Sequence, residues 1–232
     1  MSLAIGLLFQ VMFCGGSQPC MMRGSGGGGD GSLPYELIFA GDSHTAGQPP
    51  GTNQYGPYVT GCLIGNCATT SGKYITTYYA TGGFTCADVG TSYDAPIAAH
   101  KSALRIQTVV LFCGTNDLRT GDFLASTAYT RLQARVAAYR AAGYTRIVVA
   151  TILPVTFAGY ATQRALLNGS IIAGASDSTW VVADLAANTT IGEDGDNTNH
   201  TYYQGDDVHL TAAGQQIVAG IMATAIQAVG GG

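Results

Sequence analysis

Charge is what this sequence has least of. Only 10% of its 232 residues are Asp, Glu, Lys or Arg, and lysine occurs just twice, at Lys73 and Lys101. With a net charge of −4, the chain has no basic face for a nucleic-acid backbone, so no nucleic-acid partner is expected. No apolar run is long enough to cross a bilayer. The stretch from Leu3 to Phe13, interrupted by Gly6 and Gln10, is too short to span but suits the core of a signal peptide. The four histidines, His44, His100, His200 and His209, pair with no cysteine at zinc spacing, so neither a metal nor another cofactor is expected. Asp194-Gly195-Asp196-Asn197-Thr198-Asn199 echoes a calcium loop but lacks the glycine at its sixth position and the later glutamate. A solvated loop is expected there.

Apolar residues make up 47% of the chain, which excludes disorder and supplies a full core for one domain. The surface must then be covered largely by hydroxyls, amides, glycine and tyrosine, a composition that suits an extracellular or periplasmic protein. Around the first apolar stretch, Lys and Arg are missing upstream and no small-x-small cleavage site follows. Cys14-Gly15-Gly16-Ser17 leaves a lipidated cysteine at Cys14 and a mis-assigned start as open alternatives. Gly24 to Ser32 reads as a flexible linker. Residues 1–32 are therefore taken as leader and tether, and 33–232 as one domain. Of the six cysteines, Cys62 and Cys67 bracket a four-residue loop and are expected to form a disulfide. Cys113, at the end of an apolar run, is expected to be a buried free thiol. Asn168, Asn188 and Asn199 begin Asn-x-Ser/Thr triplets, which are glycosylation acceptors if the source is a secreting eukaryote.

Strand and helix signals alternate through the domain. Apolar or β-branched runs predict strands at Tyr35–Ala40, Tyr74–Ala80, Thr108–Cys113, Arg146–Leu153 and Trp180–Leu185. A helix is seeded near Thr85. Another carries Tyr129, Leu132, Val136 and Tyr139 on one stripe and stops at Gly143. Tyr160–Ile172 reads as a third. Thr211 caps a last one with Ile217, Ile221, Met222 and Ile226 on its apolar side. Strands separated by helices need crossovers, hence a parallel sheet covered on both faces: a three-layer α/β/α sandwich.

Three short stretches carry the chemistry. Gly41-Asp42-Ser43 directly follows the first strand, which places a hydroxyl at the carboxyl edge of the sheet, where open α/β sheets bind ligands. Gly114-Thr115-Asn116-Asp117 follows the third strand, and Asp206-Asp207-Val208-His209 precedes the last helix. A serine becomes nucleophilic when a histidine takes its proton and a carboxylate orients that histidine. Ser43, His209 and Asp206 are the expected set. His44 is a competing base, but it directly follows the serine and is expected to line the cleft or pack locally. Asp207 is expected to point away from His209, toward solvent or a backbone amide. The Gly-x-Ser-x-Gly elbow of α/β-hydrolases is absent.

Together these stretches resemble the GDSL, or SGNH, hydrolase family. The resemblance implies a flavodoxin-like five-stranded sheet of order 2-1-3-4-5 and a metal-free carboxylic-ester hydrolase working through an acyl-enzyme, and the leader and composition make it a secreted one. It also implies an oxyanion hole made by the Ser43 N–H, the Asn116 amide and a glycine of Thr81-Gly82-Gly83-Phe84-Thr85. The Gly-x-Thr match selects Gly83, with Gly82 the alternative. The sequence departs from the family pattern at His44, where a branched aliphatic is commoner, and at Thr115 and Asp207, where glycine is. Short acyl groups on carbohydrates or small alcohols are the expected substrates, with Tyr55, Tyr58, Tyr78, Tyr79, Tyr202 and Tyr203 available to stack on sugar rings. A lysophospholipase or thioesterase, or a non-catalytic glycan-binding module, are the alternatives.

Overall fold

A computed structural model describes residues 21–22, 33–68, 71–119, 124–176 and 179–231. The leader and tether, Cys14 and Cys20 included, lie outside the described residues apart from Met21–Met22.

Six strands form one sheet: β1 (Met21–Met22), β2 (Tyr35–Gly41), β3 (Tyr74–Ala80), β4 (Ile106–Phe112), β5 (Arg146–Ala150) and β6 (Val181–Ala183). Their order is β1-β3-β2-β4-β5-β6. The five from β2 to β6 are mutually parallel, and the dipeptide β1 adds antiparallel to the outer edge of β3. Counted from the first predicted strand, this is the expected order 2-1-3-4-5. Leu37, Ile38, Phe39 and Ala40 of β2 are fully buried, as are Val109 to Phe112 of β4. A strand buried on both faces cannot alternate, which is why these runs read as continuously apolar.

The helices are α1 (Ser43–Ala46), α2 (Tyr55–Cys62), α3 (Cys86–Ala99), α4 (Thr115–Arg119), α5 (Ala125–Ala141), α6 (Tyr160–Gly174) and α7 (Ala212–Ala228). α2 packs on α7, and α3 on α5 and α5 on α6, giving one helical layer on each face. Thr85 caps α3 through a reciprocal pair with Asp88, and Thr211 caps α7 by accepting from the Gly214 N–H. On α7 the buried line is Val218, Met222 and Ile226, with Ile217 and Ile221 half-buried beside it.

Two predicted strands are shorter than read. The β5–β6 ladder ends at Ala150 and Ala183, so Ile152 and Leu153 are core residues outside the sheet. There the Asn168 side chain replaces a strand neighbour, accepting from the Ile152 N–H at 2.7 Å and donating to its carbonyl at 3.0 Å. Asn168 is therefore a buried bracket rather than a glycan acceptor. α2 escaped the sequence reading because two glycines and a proline break its apolar period; Pro57 sits in its first turn, where a missing N–H costs little.

Cys62 and Cys67 form the expected disulfide. The free-thiol expectation for Cys113 is overturned: Cys113 is bonded to Cys86, their Cα atoms 5.4 Å apart. The two stand 27 residues apart in the chain, and only the sheet order brings the start of α3 beside the end of β4. No free cysteine remains among the described residues. Both bridges fit an oxidising compartment. No helix among the described residues is long and apolar enough to cross a membrane.

Candidate active site

The parallel register builds the site. Gly41 at the end of β2 is paired with Ala80 on one side and Phe112 on the other, so three loops leave the carboxyl edge side by side. Close approach demands glycine at this point, since a Cβ on Gly41 would lie 2.1 Å from the Phe112 carbonyl oxygen. The central loop starts α1, whose N-cap Asp42 accepts the His44 N–H at 3.0 Å and holds Ser43 in the first helical position.

Ser43 is 9% exposed. Its Oγ is 2.9 Å from His209 Nε2, and His209 Nδ1 is 2.5 Å from Asp206 Oδ2. The other oxygen, Asp206 Oδ1, accepts the N–H groups of Val208 and His209 at 3.0 and 2.9 Å. Partial burial alone would raise the Asp206 carboxyl, but the ring of His209 and these two N–H groups outweigh it and hold it below the ordinary range. A carboxylate so held stays charged at neutral pH and keeps a proton on His209 Nδ1. His209 Nε2 then presents a lone pair to Ser43.

The Asp207 carboxylate is directed to His200 and not to His209. The residue takes a left-handed φ of +55°, a conformation that glycine adopts freely and aspartate tolerates better than most residues. Its carboxylate meets His200 Nε2 at 2.8 Å, a partner not anticipated from the sequence. Gln204 was missed as well. Its side-chain amide donates to the carbonyls of Gln48 and Leu210, both at 2.9 Å, tying the histidine loop to the segment after α1. No sequence pattern marks it, because the two ends of that tie are 156 residues apart.

The neighbouring loops supply polar groups beside Ser43. A Cβ on Gly82 would lie 3.7 Å from the Ser43 Cβ, and Gly83 has a left-handed φ of +82°. Asn116 Nδ2 donates to the Phe84 carbonyl at 3.0 Å, fixing the amide against the same loop. Asp117 Oδ2 accepts the Cys86 N–H at 2.7 Å, and its Oδ1 accepts from Arg131 at 3.1 Å. With the Cys86–Cys113 bridge, three ties join the loop after β3 to the loop after β4 across the serine.

Neither ring nitrogen of His44 makes a hydrogen bond, to Ser43 or to any other described residue. The residue is buried to 1% exposure, stacked on Phe112 with ring centroids 5.1 Å apart. Burial, together with the nearby His209, lowers its pKa to about 3 and keeps it neutral. An imidazole stacked on Phe112, its two ring nitrogens buried without partners, thus stands where the family it resembles more often has a branched aliphatic.

Asp42 carries the opposite shift. Its carboxyl is fully buried, and desolvation raises it to about 7, with the His44 N–H opposing and the charge of Asp117 adding to the rise. The folded protein therefore holds a proton that the unfolded chain releases near pH 4, and stability is lost as pH climbs from about 4 to about 7. Asp42→Asn keeps the capping oxygen and removes the charge. The variant is expected to melt above the parent at pH 8, with the gap closing toward pH 4. Parallel melting curves at all pH values would contradict this account.

No group of three metal-ligating side chains is assembled among the described residues. Residues 39–217 match the family described as GDSL-like Lipase/Acylhydrolase. No curated protein matches the sequence. Among solved structures the chain resembles a carbohydrate esterase family 3 protein from Talaromyces cellulolyticus, at 19% identity and a TM-score of 0.63, covering 84% of this chain and 98% of that one. It also resembles an acetylxylan esterase from Geobacillus stearothermophilus, solved as a catalytic mutant, at 19% identity and a TM-score of 0.58, covering 85% and 95%. A psychrotrophic esterase from Pseudoalteromonas sp., solved with monoethylphosphonate as inhibitor, matches at 17% identity and a TM-score of 0.60, covering 84% and 97%. At these identities the likeness is one of fold.

Proposed function

We propose, from the premise that this chain belongs to the GDSL-like lipase/acylhydrolase family of carboxylic-ester hydrolases, that it is a secreted serine esterase acting on short acyl esters of carbohydrates. The observation that carries the reading is the continuous path from Ser43 Oγ through His209 to the Asp206 carboxylate. Ser43 attacks the ester carbonyl while its proton passes to His209 Nε2. The resulting oxyanion is met by the N–H groups of Ser43 and Gly83 and by the Asn116 amide. His209 then hands the proton to the departing alcohol, leaving an acyl group on Ser43. A water molecule, deprotonated by His209, releases the acid and restores the serine.

The substrate part of this reading is tested with a p-nitrophenyl ester series beside acetylated xylan and pectin. Acetate is expected to be the best acyl group, with acetic acid released from a polysaccharide. A preference for long chains would turn the reading to a lysophospholipase or thioesterase, and no turnover of any ester would leave a glycan-binding module.

For the oxyanion hole, Asn116→Ala is expected to lower kcat roughly 10²–10³-fold with little change in KM, because the bond strengthens only as charge develops. An effect confined to KM would make Asn116 a binding residue.

Most of the tyrosines named as available for sugar rings are core residues instead. Tyr55, Tyr78, Tyr79 and Tyr203 are all buried, leaving Tyr58 and Tyr202 half-exposed.

A further inference from the structure

An aromatic ring does reach the surface elsewhere on the carboxyl edge. After β5 the chain runs Pro154-Val155-Thr156-Phe157 toward α6, facing the loop of residues 194–198. Between them lies a cleft of about 550 Å³, within the range of pockets that bind small ligands. Pro154, Val155 and Ala161 give it an apolar floor, and Phe157 adds a ring that is 43% exposed. Thr156, Asn197, Thr198 and Asp194 supply hydroxyl, amide and carboxylate groups around it.

The position of the cleft relates it to the serine. β5 stands two places from β2 in the sheet, so at ordinary strand spacing it lies roughly 10 Å from the strand that leads into Ser43. Asn197 couples the two regions. Its Nδ2 donates to Thr156 Oγ1 at 2.8 Å and to the Asp207 carbonyl at 3.0 Å, next to Asp206.

The lining narrows the ligand chemistry. Among the described residues lining it, Asp194 is the one charged group, and its Oδ1 accepts from Arg164 at 2.7 Å. No cation among the described residues lines the cleft itself, and Arg164 is already engaged by Asp194, so an anionic ligand would find no free positive partner there. The Asn197 amide N–H groups are spent on Thr156 and Asp207, but Thr156 and Thr198 are exposed, and an acyl chain would strip water from their hydroxyl oxygens at a cost in free energy. A neutral sugar satisfies both kinds of surface, because its ring has apolar faces and a hydroxyl edge.

We propose that this cleft is a subsite for a neutral sugar unit in the alcohol part of the substrate, an inference that rests on the carbohydrate-esterase reading above. In an acetylated oligosaccharide the acetyl group offers little to hold. Contacts that orient the ester against Ser43 must come mainly from the sugar chain.

Phe157→Ala separates the subsite from the chemistry, because the ring is 43% exposed and stands between β5 and α6, on a different loop from Ser43, Asn116, Asp206 and His209. Thermal melting checks that the fold is kept. The variant is expected to lose about tenfold in kcat/KM on acetylated xylo-oligosaccharides, equivalent to about 1.4 kcal/mol, while p-nitrophenyl acetate stays within about twofold. Phe157→Tyr should restore the loss. Binding is read independently by calorimetry with Ser43→Ala protein, using xylotetraose, cellotetraose and tetragalacturonate. The neutral oligomers are expected to bind more tightly than the acidic one, and to weaken about tenfold when Phe157→Ala is added.

If the parent deacetylates these oligosaccharides and Phe157→Ala does so equally well, the subsite falls while the esterase reading stands. If Phe157→Ala instead impairs p-nitrophenyl octanoate, the cleft takes acyl chains and the proposal is wrong. If the parent hydrolyses p-nitrophenyl acetate but no acetylated sugar, the substrate reading fails. Absence of oligosaccharide binding to Ser43→Ala protein would then overturn the subsite as well.

Discussion

Ser43→Ala is expected to abolish ester turnover while leaving the fold unchanged. In the proposed path Ser43 Oγ is both the group that attacks and the group that carries the acyl chain, so no neighbour can replace it. Removing a serine nucleophile or its base in a comparable hydrolase costs on the order of 10⁶ in kcat. The structural cost is small, because the hydroxyl's bond to His209 Nε2 is the one lost and the site opens to solvent there. Circular dichroism and melting temperature should therefore match the parent. A fluorophosphonate probe should label the parent once, on Ser43, and should not label the variant. A label found on any other residue, or turnover within tenfold of the parent, would remove Ser43 from its assigned role.

Asp206→Asn is expected to cost far more than Asp207→Asn. Both oxygens of Asp206 act as acceptors, one from the His209 ring and one from two backbone N–H groups. An asparagine must turn its NH₂ toward one of these donors. If it faces the ring, His209 is driven to the tautomer with its proton on Nε2, which cannot accept from Ser43. If it faces the backbone, two N–H groups lose their acceptor and the loop shifts. In a serine protease the corresponding change costs on the order of 10⁴ in kcat. Asp207→Asn leaves a polar partner for His200 and tolerates the left-handed backbone, so its kcat is expected within about threefold of the parent. A reversed order would make Asp207 the orienting residue. Equal, mild effects from both would indicate a Ser43–His209 dyad held by backbone alone.

Read alone, the sequence determined the parallel sheet, the places of its five strands and the three stretches that meet at its carboxyl edge. Those features are written locally. A strand buried on both faces must be apolar throughout, a Gly-Asp-Ser turn must follow it if the hydroxyl is to sit at the edge, and Thr85 and Thr211 announce their helices by capping them. The Cys62–Cys67 bridge belongs to the same class, since four residues separate its ends. α2 and the true ends of β5 and β6 were hidden because glycine, proline and buried side-chain brackets such as Asn168 override propensity there.

Everything joining distant segments was decided by the tertiary structure. Cys86 finds Cys113, Asn116 finds Phe84, and Gln204 finds Gln48 only after β2 has been placed between β3 and β4. For His44 the sequence left cleft lining and local packing open, and its burial against Phe112 decided between them, while the burial of Tyr55, Tyr78, Tyr79 and Tyr203 was not legible at all. A tyrosine's sequence neighbours do not say whether its ring faces a helix layer or the solvent. The cleft beside Phe157 has no signature either, for a concave surface between two loops is a property of their separation in space, which the sheet order sets and no local pattern encodes.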